Sequence, residues 1–385
     1  MDETRFEAVS ACTLNRAFGY KPQVSRRIID ELGSAGAVFK LSRSDLKDLF
    51  GPYNDDAQAI SDSALEYSDK ELDFLAARGL RFIGICDPVY PSQLRDCPDA
   101  PAGLYVRSES PLEEVFSDTP MISIVGTRDI SLYGKEWCTR IVGAISQAPI
   151  RPVIVSGMAI GVDITAHMAA LGYGLPTIGV LPTGIDNVYP RRHWTAAEKI
   201  VRTTGSALVT DFPPDTSPQK ATFLRRNRII AGLGRSTILI ESKAKGGGMI
   251  TARLAFDYGR EVFALPGRID DIRSAGCNAL IGEKVAESIT SLSSMSTALG
   301  LGSFRPGQAD DLAEMVRRAF PGEDVGNLVR TADAIRKERG ITTEGLCTVL
   351  GCSYHEAASW AGLLESAGLI SMDLLQRCSI VVRKV

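Results

Sequence analysis

The sequence predicts an α/β protein centred on a doubly wound, mostly parallel sheet. Three observations lead there. Short β-branched runs alternate with helix-period segments between residues 116 and 290. The flanking stretches are mainly helical in pattern instead. Glycine also follows strand run after strand run, as in open sheets whose ligands sit beyond the strand ends.

The strands are expected at Met121–Val125, Val153–Val155, Thr177–Val180, Ala207–Val209, Thr237–Ile240 and Glu261–Ala264. They are short and mostly apolar, with β-branched residues recurring among them, which suits strands buried on both faces. Helices are expected between them at 134–147, 162–171, 191–202, 223–233 and 249–258. Alternation of this kind gives βαβ units, with helices covering both faces of a parallel sheet.

Residues 1–115 read as an N-terminal helical domain and its connector. Helix-period positions run over Ser25–Leu32, Asp56–Tyr67 and Ser68–Arg78. Asp87-Pro88, Tyr90-Pro91, Cys97-Pro98 and Ala100-Pro101 then mark an extended connection. After the central domain, 116–290, the segment 291–308 is Ser/Gly-rich and nearly uncharged, predicting a flexible linker over 291–319. Residues 320–385 hold helical patterns at Leu328–Arg339, Thr342–Leu350 and Tyr354–Ser366, a turn at Gly351-Cys352 and an apolar end, the pattern of a winged-helix-like module.

Composition narrows the class. With 385 residues, 44% hydrophobic and 23% charged, the chain has the make-up of two or three globular domains. No run approaches the roughly 18 apolar residues of a membrane helix, and Met1-Asp2-Glu3-Thr4-Arg5 does not read as a secretory signal. A cytoplasmic protein without membrane partners is expected. The eight cysteines form no CxxC pair, which suits reduced thiols. Cys347, Cys352 and His355 come nearest to a metal cluster but lack a fourth ligand, so no metal and no cofactor are expected.

The net charge of −3 conceals a gradient. Residues 1–115 carry 13 basic and 20 acidic groups, 116–290 carry 20 and 15, and 291–385 carry 10 and 11. Positive charge therefore gathers in the middle, where an electrostatic footprint for an anionic partner would lie. By itself that excess is also an ordinary surface.

The glycine loops Gly126-Thr127-Arg128, Gly157-Met158-Ala159-Ile160-Gly161, Thr183-Gly184 and Gly246-Gly247-Gly248 should share one edge of the sheet and suit a phosphate-bearing ligand. No GxGxxG occurs, and Gly134-Lys135 is followed by Glu136 with Asp129 upstream, so the Walker A pattern fails. What remains is Arg128, Arg225-Arg226-Asn227-Arg228 opening a helix, and Lys243 and Lys245. Guanidinium forks suit phosphates, and Phe223, Tyr189, His193 and Phe212 lie close in sequence as faces for base stacking. The bland alternatives are a salt-bridged Arg128 and a core Phe223. Three arginines in four positions near a helix start, against the helix dipole, are harder to explain as surface. Asp163 and His167, one turn apart, fit an acid/base pair or a structural hydrogen bond.

Together these residues resemble the DNA-processing protein A family (DprA, also called Smf). The resemblance covers most of 119–282. It rests on Ile124-Val125-Gly126-Thr127-Arg128 with Ser131, Tyr133 and Gly134, and on Val155-Ser156-Gly157-Met158-Ala159 with Gly161, Asp163, Ala166 and His167. Leu181-Pro182-Thr183-Gly184 with Asp186, Tyr189 and Pro190 follows, then Arg226-Asn227-Arg228-Ile229-Ile230-Ala231-Gly232. Thr251-Ala252-Arg253 and Val262-Phe263-Ala264-Leu265-Pro266-Gly267 complete the order. Leu224 stands where the family usually has Pro, His193 where Asn is usual, and Gly246 and Gly248 where Ser is frequent.

The resemblance implies an extended Rossmann-like, single-stranded-DNA-binding domain, usually a homodimer. An N-terminal helical (SAM- or helix-hairpin-helix-like) domain and a C-terminal winged-helix-like domain are common flanks. It further implies a non-catalytic role: protecting incoming DNA in natural transformation and assisting loading of the RecA recombinase. The DNA-binding set is then Gly126, Thr127, Arg128, Ser131, Gly157, Gly184, Phe223, Arg226, Asn227, Arg228, Lys245 and Gly247. Two other readings stay open. One is a nucleoside-monophosphate phosphoribohydrolase on a related fold, although Pro266-Gly267 is followed by Arg268 and its PGG-x-G-T-x-x-E signature is missing. The other is a transcription regulator acting through the C-terminal module. Ile341 to Gln376 contains no Lys or Arg, so that module is expected to serve protein contacts and not to bind DNA.

Overall fold

The computed structural model describes residues 1–51, 55–302, 312–320, 325–338, 340–373 and 376–380. Two compact units emerge, Met1–Phe304 and Arg305–Val385. The first is built on nine strands: β1 (Arg81–Gly84), β2 (Gly103–Arg107), β3 (Met121–Val125), β4 (Val153–Ser156), β5 (Thr177–Val180), β6 (Ala207–Thr210), β7 (Ser236–Leu239), β8 (Glu261–Ala264) and β9 (Glu287–Ser288). Their spatial order is β1-β2-β6-β5-β4-β3-β7-β8-β9. Strands β6 to β9 in that order run parallel, while β2 joins β6 antiparallel and β1 joins β2 likewise.

The chain winds outward from β3 through β4, β5 and β6, then returns to lay β7 on the other side of β3. That reversal is the topological switch point of a doubly wound, Rossmann-like sheet. Side chains alternate as the pleat demands. Met121 and Val125 enter the core on one face, and Ile122 and Ile124 that on the other. Val153 and Val155 against Ile154 repeat the pattern on β4. Each such fully buried aliphatic side chain contributes about 1.5–3 kcal/mol, and loading both faces fixes the register.

The structure corrects several sequence expectations here. Residues 81–107 are not merely a connection, because β1 and β2 extend the sheet itself. The helix Glu3–Phe18, unforeseen in the sequence, packs over them, with Leu14 beside Ile83 and Leu104 in one core and Cys12 near Tyr105 in another. The two patterns expected at Asp56–Tyr67 and Ser68–Arg78 are chiefly one helix, Asp62–Ala76. Within the linker expected over 291–319, the described residues include helices. Ser291 caps a helix, Leu292–Ala298, and Met295, Leu299 and Leu301 are buried against the core that holds Ile141 and Ile145. A second helix, Leu312–Ala319, is the first described element of the C-terminal unit. Residues 303–311 lie outside the described part.

The C-terminal unit also contains the helices Val325–Lys337, Thr343–Leu350 and Tyr354–Ser366. Strands β10 (Ile341–Thr342), β11 (Ile370–Met372) and β12 (Arg377–Ile380) form an antiparallel sheet ordered β10-β12-β11. Leu328, Ile335, Leu346, Leu364, Ile370 and Cys378 share its core. Gly351, at φ 68°, closes one helix in the left-handed region, and Ser353 with Glu356 caps the next reciprocally. Among the described residues no helix is long and apolar enough to cross a membrane.

Candidate functional site

The carboxyl ends of β3 and β7 meet at the switch point, and their loops are tied together. Thr127 N–H donates to the Glu241 carbonyl at 2.7 Å, and its own carbonyl accepts from Val162 N–H at 3.1 Å. Gly126 is needed for this closeness, since a Cβ there would lie 2.6 Å from Val162 Cγ2 and 2.8 Å from the Glu241 carbonyl. Ser131 caps the helix Leu132–Ser146 through Gly134 N–H and donates its hydroxyl to the Glu241 carboxylate. Ser131, half-buried, is thus bonded within the protein, although the family resemblance lists it among the DNA contacts.

Above this tied base Arg128 is exposed, with its guanidinium 4.8 Å from the Phe223 ring centroid. Phe223 meets Tyr189 edge to face at 5.6 Å, and Tyr189 is 42% exposed. Cation, ring and ring therefore run from the β3 loop to the β5 loop. Lys243 and Lys245 are exposed after β7 and make no ion pair among the described residues. Gly247, exposed in the first turn of the helix Gly247–Asp257, has nothing within 4 Å of where its Cβ would be. Its backbone is open to an approaching group.

The arginine run behaves differently from expectation. Only 3% of Arg226 is exposed, and its Nη1 donates to the Val180 carbonyl at 2.8 Å. Gly157 makes room for it, because a Cβ there would fall 1.7 Å from that nitrogen. Burial pushes the Arg226 guanidinium down to about 10; the nearby Asp163 opposes that shift and Arg128 adds to it. It is still a cation at neutral pH, held beneath the rim. Arg228 is inside as well, with Nη2 at 2.6 Å from Asp211 Oδ2 and Nη1 on the Asp99 carbonyl. Arg225 reaches the same Asp211 oxygen at 2.6 Å, and its guanidinium lies near the Tyr20 and Phe212 rings. Arg226 and Arg228, expected as outward DNA contacts, are therefore internal. They sit on the inner face of the helix Lys220–Leu233, where paired or hydrogen-bonded burial outweighs exposure. The side chain of Asn227, half-buried between them, makes no hydrogen bond among the described residues.

Three further expectations are corrected by burial. Gly184 donates to the Thr216 carbonyl at 3.1 Å and packs against Pro213, so it shapes its loop from within. Phe212 is 1% exposed and offers no free face. His193 pairs through Nδ1 with the Met158 carbonyl at 2.8 Å, beside a residue with φ 58°. Asp163 and His167 are buried and not hydrogen-bonded to each other. His167 Nδ1 lies 2.7 Å from Thr177 Oγ1, whose hydroxyl donates to the Ile154 carbonyl. Nδ1 must therefore carry the proton. Burial, then Arg226, pushes the imidazole down to about 3, so it is neutral and structural.

The sequence reading passed over Lys220, exposed one turn before Phe223, and the exposed Arg191 and Arg192 two and three residues beyond Tyr189. The i, i+3 spacing of Lys220 and Phe223 was the available signal. It also passed over Glu241 and Asp211, buried acids visible only once distant loops meet. No group of three or more His, Cys, Asp or Glu among the described residues could hold a metal.

Fold and rim together define a Rossmann-like protein with a cationic, aromatic-flanked crest at its switch point. Residues 81–300 match the family described as DNA recombination-mediator protein A, and the chain belongs to that family. The DNA processing protein DprA of Bacillus subtilis is 36% identical over 228 residues, 58% of this chain and 74% of its own. Protein Smf of Escherichia coli is 38% identical over 192 residues, and the match spans only half the length of either chain. Among solved structures, DNA processing protein A of Streptococcus pneumoniae aligns at TM-score 0.64 and 31% identity, covering 77% of this chain and 98% of its own. The Helicobacter pylori protein, described with a single-stranded DNA binding mode, aligns at 0.51 and 28%, covering 57% and 95%.

Proposed function

We propose that this chain binds single-stranded DNA without sequence preference, along the crest of the switch point, and does no chemistry on it. One observation carries the reading. An exposed guanidinium at 4.8 Å from the half-buried Phe223 ring, itself against the exposed Tyr189, offers charge and stacking surface together. Arg128, Phe223, Asn227, Lys245, the Thr127 side chain and the backbone at Gly126 and Gly247 would touch the strand. Gly157, Gly184, Ser131, Arg226 and Arg228 would shape and charge the surface from below. Membership of the family and the single-stranded DNA of the Helicobacter pylori relative support the reading. No acid/base pair is required of Asp163 and His167, which suits a non-enzymatic role.

The reading extends to DNA protection and RecA loading during transformation and recombination, by a cytoplasmic homodimer. The C-terminal unit would be a winged-helix-like module that meets proteins, given its lack of Lys and Arg over 341–376. Fluorescence anisotropy of a labelled oligothymidine across salt concentrations tests the core of it. Arg128→Glu with Lys245→Glu should weaken binding and lower the salt slope, by about 0.7 for each phosphate the variant ceases to neutralise. An unchanged affinity and slope in the folded double variant would remove the strand from this crest.

A further inference from the structure

At the switch point of a doubly wound sheet, the helix that follows the first strand ordinarily turns its N-terminal amides to a ligand phosphate. Here that helix is Leu132–Ser146, and its N-terminus is already filled. Glu241, 1% exposed, sends its carboxylate across from the end of β7. Its Oε2 accepts Ser131 N–H at 2.9 Å and its Oε1 accepts the Ser131 hydroxyl. A Cβ on Gly134 would lie 2.4 Å from Oε2, so the carboxylate rests against the first turn. The chain thus supplies an internal anion where a free nucleotide would place an external one. Thr127 N–H, bonded to the Glu241 carbonyl, is withdrawn from ligands by the same residue.

We infer that Glu241 is a specificity-determining residue. It denies the switch-point helix to the phosphates of mono- and dinucleotides, and leaves phosphate recognition to the outward crest of Arg128 and Lys245. The consequence is selection of a strand's backbone over the free nucleotides that accompany it in solution. The inference rests on the strand-binding reading for its meaning, but its test reads nucleotides and stands apart.

Wild type and Glu241→Ser are titrated calorimetrically with ADP and with pyrophosphate, and separately with oligothymidine. Wild type should show no binding of ADP or pyrophosphate in the low millimolar range. The serine variant, with the anion position opened, should bind both at least tenfold more tightly than wild type. A folded Glu241→Ser that gains no affinity overturns the inference. Backbone amide spectra of the wild type give a second measurement that needs no variant. ADP should leave the Ser131 and Gly134 amides unshifted, and a saturable shift there overturns the inference whatever the variant does. Failure of wild type to bind oligothymidine at low salt would sink the strand reading alone, since the ADP results still decide the role of Glu241.

Discussion

Replacing Gly157 by alanine tests the buried arginine beneath the crest. The new methyl would stand 1.7 Å from Arg226 Nη1, 2.4 Å from Cζ and 2.6 Å from Nη2, so the guanidinium must leave its place. A surface arginine would swing aside at little cost. Arg226 is only 3% exposed and would lose its 2.8 Å bond to the Val180 carbonyl. Losing a hydrogen bond from a buried charged donor costs about 1.5–3 kcal/mol. Urea unfolding of Gly157→Ala should fall short of wild type by that amount. The same substitution in an Arg226→Met background, where the guanidinium is gone, should cost less than about 1 kcal/mol. The cycle would then give a coupling of about 0.5–3 kcal/mol. Equal costs in both backgrounds would refute the argument that Gly157 exists to house Arg226.

Two further expectations follow from buried charges. Asp211 is fully buried between Arg225 and Arg228, so Asp211→Asn should destabilise the protein by about 3–5 kcal/mol in chemical denaturation, by stranding two guanidinium groups; a change under about 1 kcal/mol would contradict the pairing. His167 has its folded value pushed down to about 3 from 6.5, so its neutral form stabilises the fold fully above the unfolded value, and that stability drains as pH falls from about 6.5 towards 3. His167→Gln should flatten the stability profile across that window in unfolding experiments at stepped pH, whereas an unchanged slope would show that other groups set it.

The sheet was legible because buried strands carry a local signal. Met121–Val125 and Glu261–Ala264 have the structure's bounds, since a short apolar run flanked by polar or turn residues has few other ways to bury itself. The strands β1 and β2 carry no such signal. Arg81-Phe82-Ile83-Gly84 is four residues long, near a proline-rich stretch, and becomes a strand only by pairing with Gly103–Arg107. The helix at Leu292–Ala298 was masked by serine, which suggests a linker by composition but here supplies the N-cap while Met295, Leu299 and Leu301 do the packing.

The arginine run shows where residue type stops being informative about role. Arg128, Arg225, Arg226 and Arg228 are chemically the same, and the sequence groups all four as candidates for a phosphate ligand, the family resemblance singling out Arg128, Arg226 and Arg228. Their partners separate them. Arg225 and Arg228 share Asp211, and Asn15 of the first helix donates to the Asp211 backbone carbonyl at 2.8 Å, so this trio fixes the helix Lys220–Leu233 against the N-terminal elements. Arg226 has no salt-bridge partner among the described residues and sits buried one turn from Phe223 on that same helix. A cation held there raises the potential of the crest without competing for solvent, and screening by salt reaches it less than it reaches Arg128. The division is therefore between two arginines that set position, one that sets field and one left free to touch. A substitution at Asp211 should accordingly disturb the crest through the placement of Phe223, and one at Arg128 through charge alone.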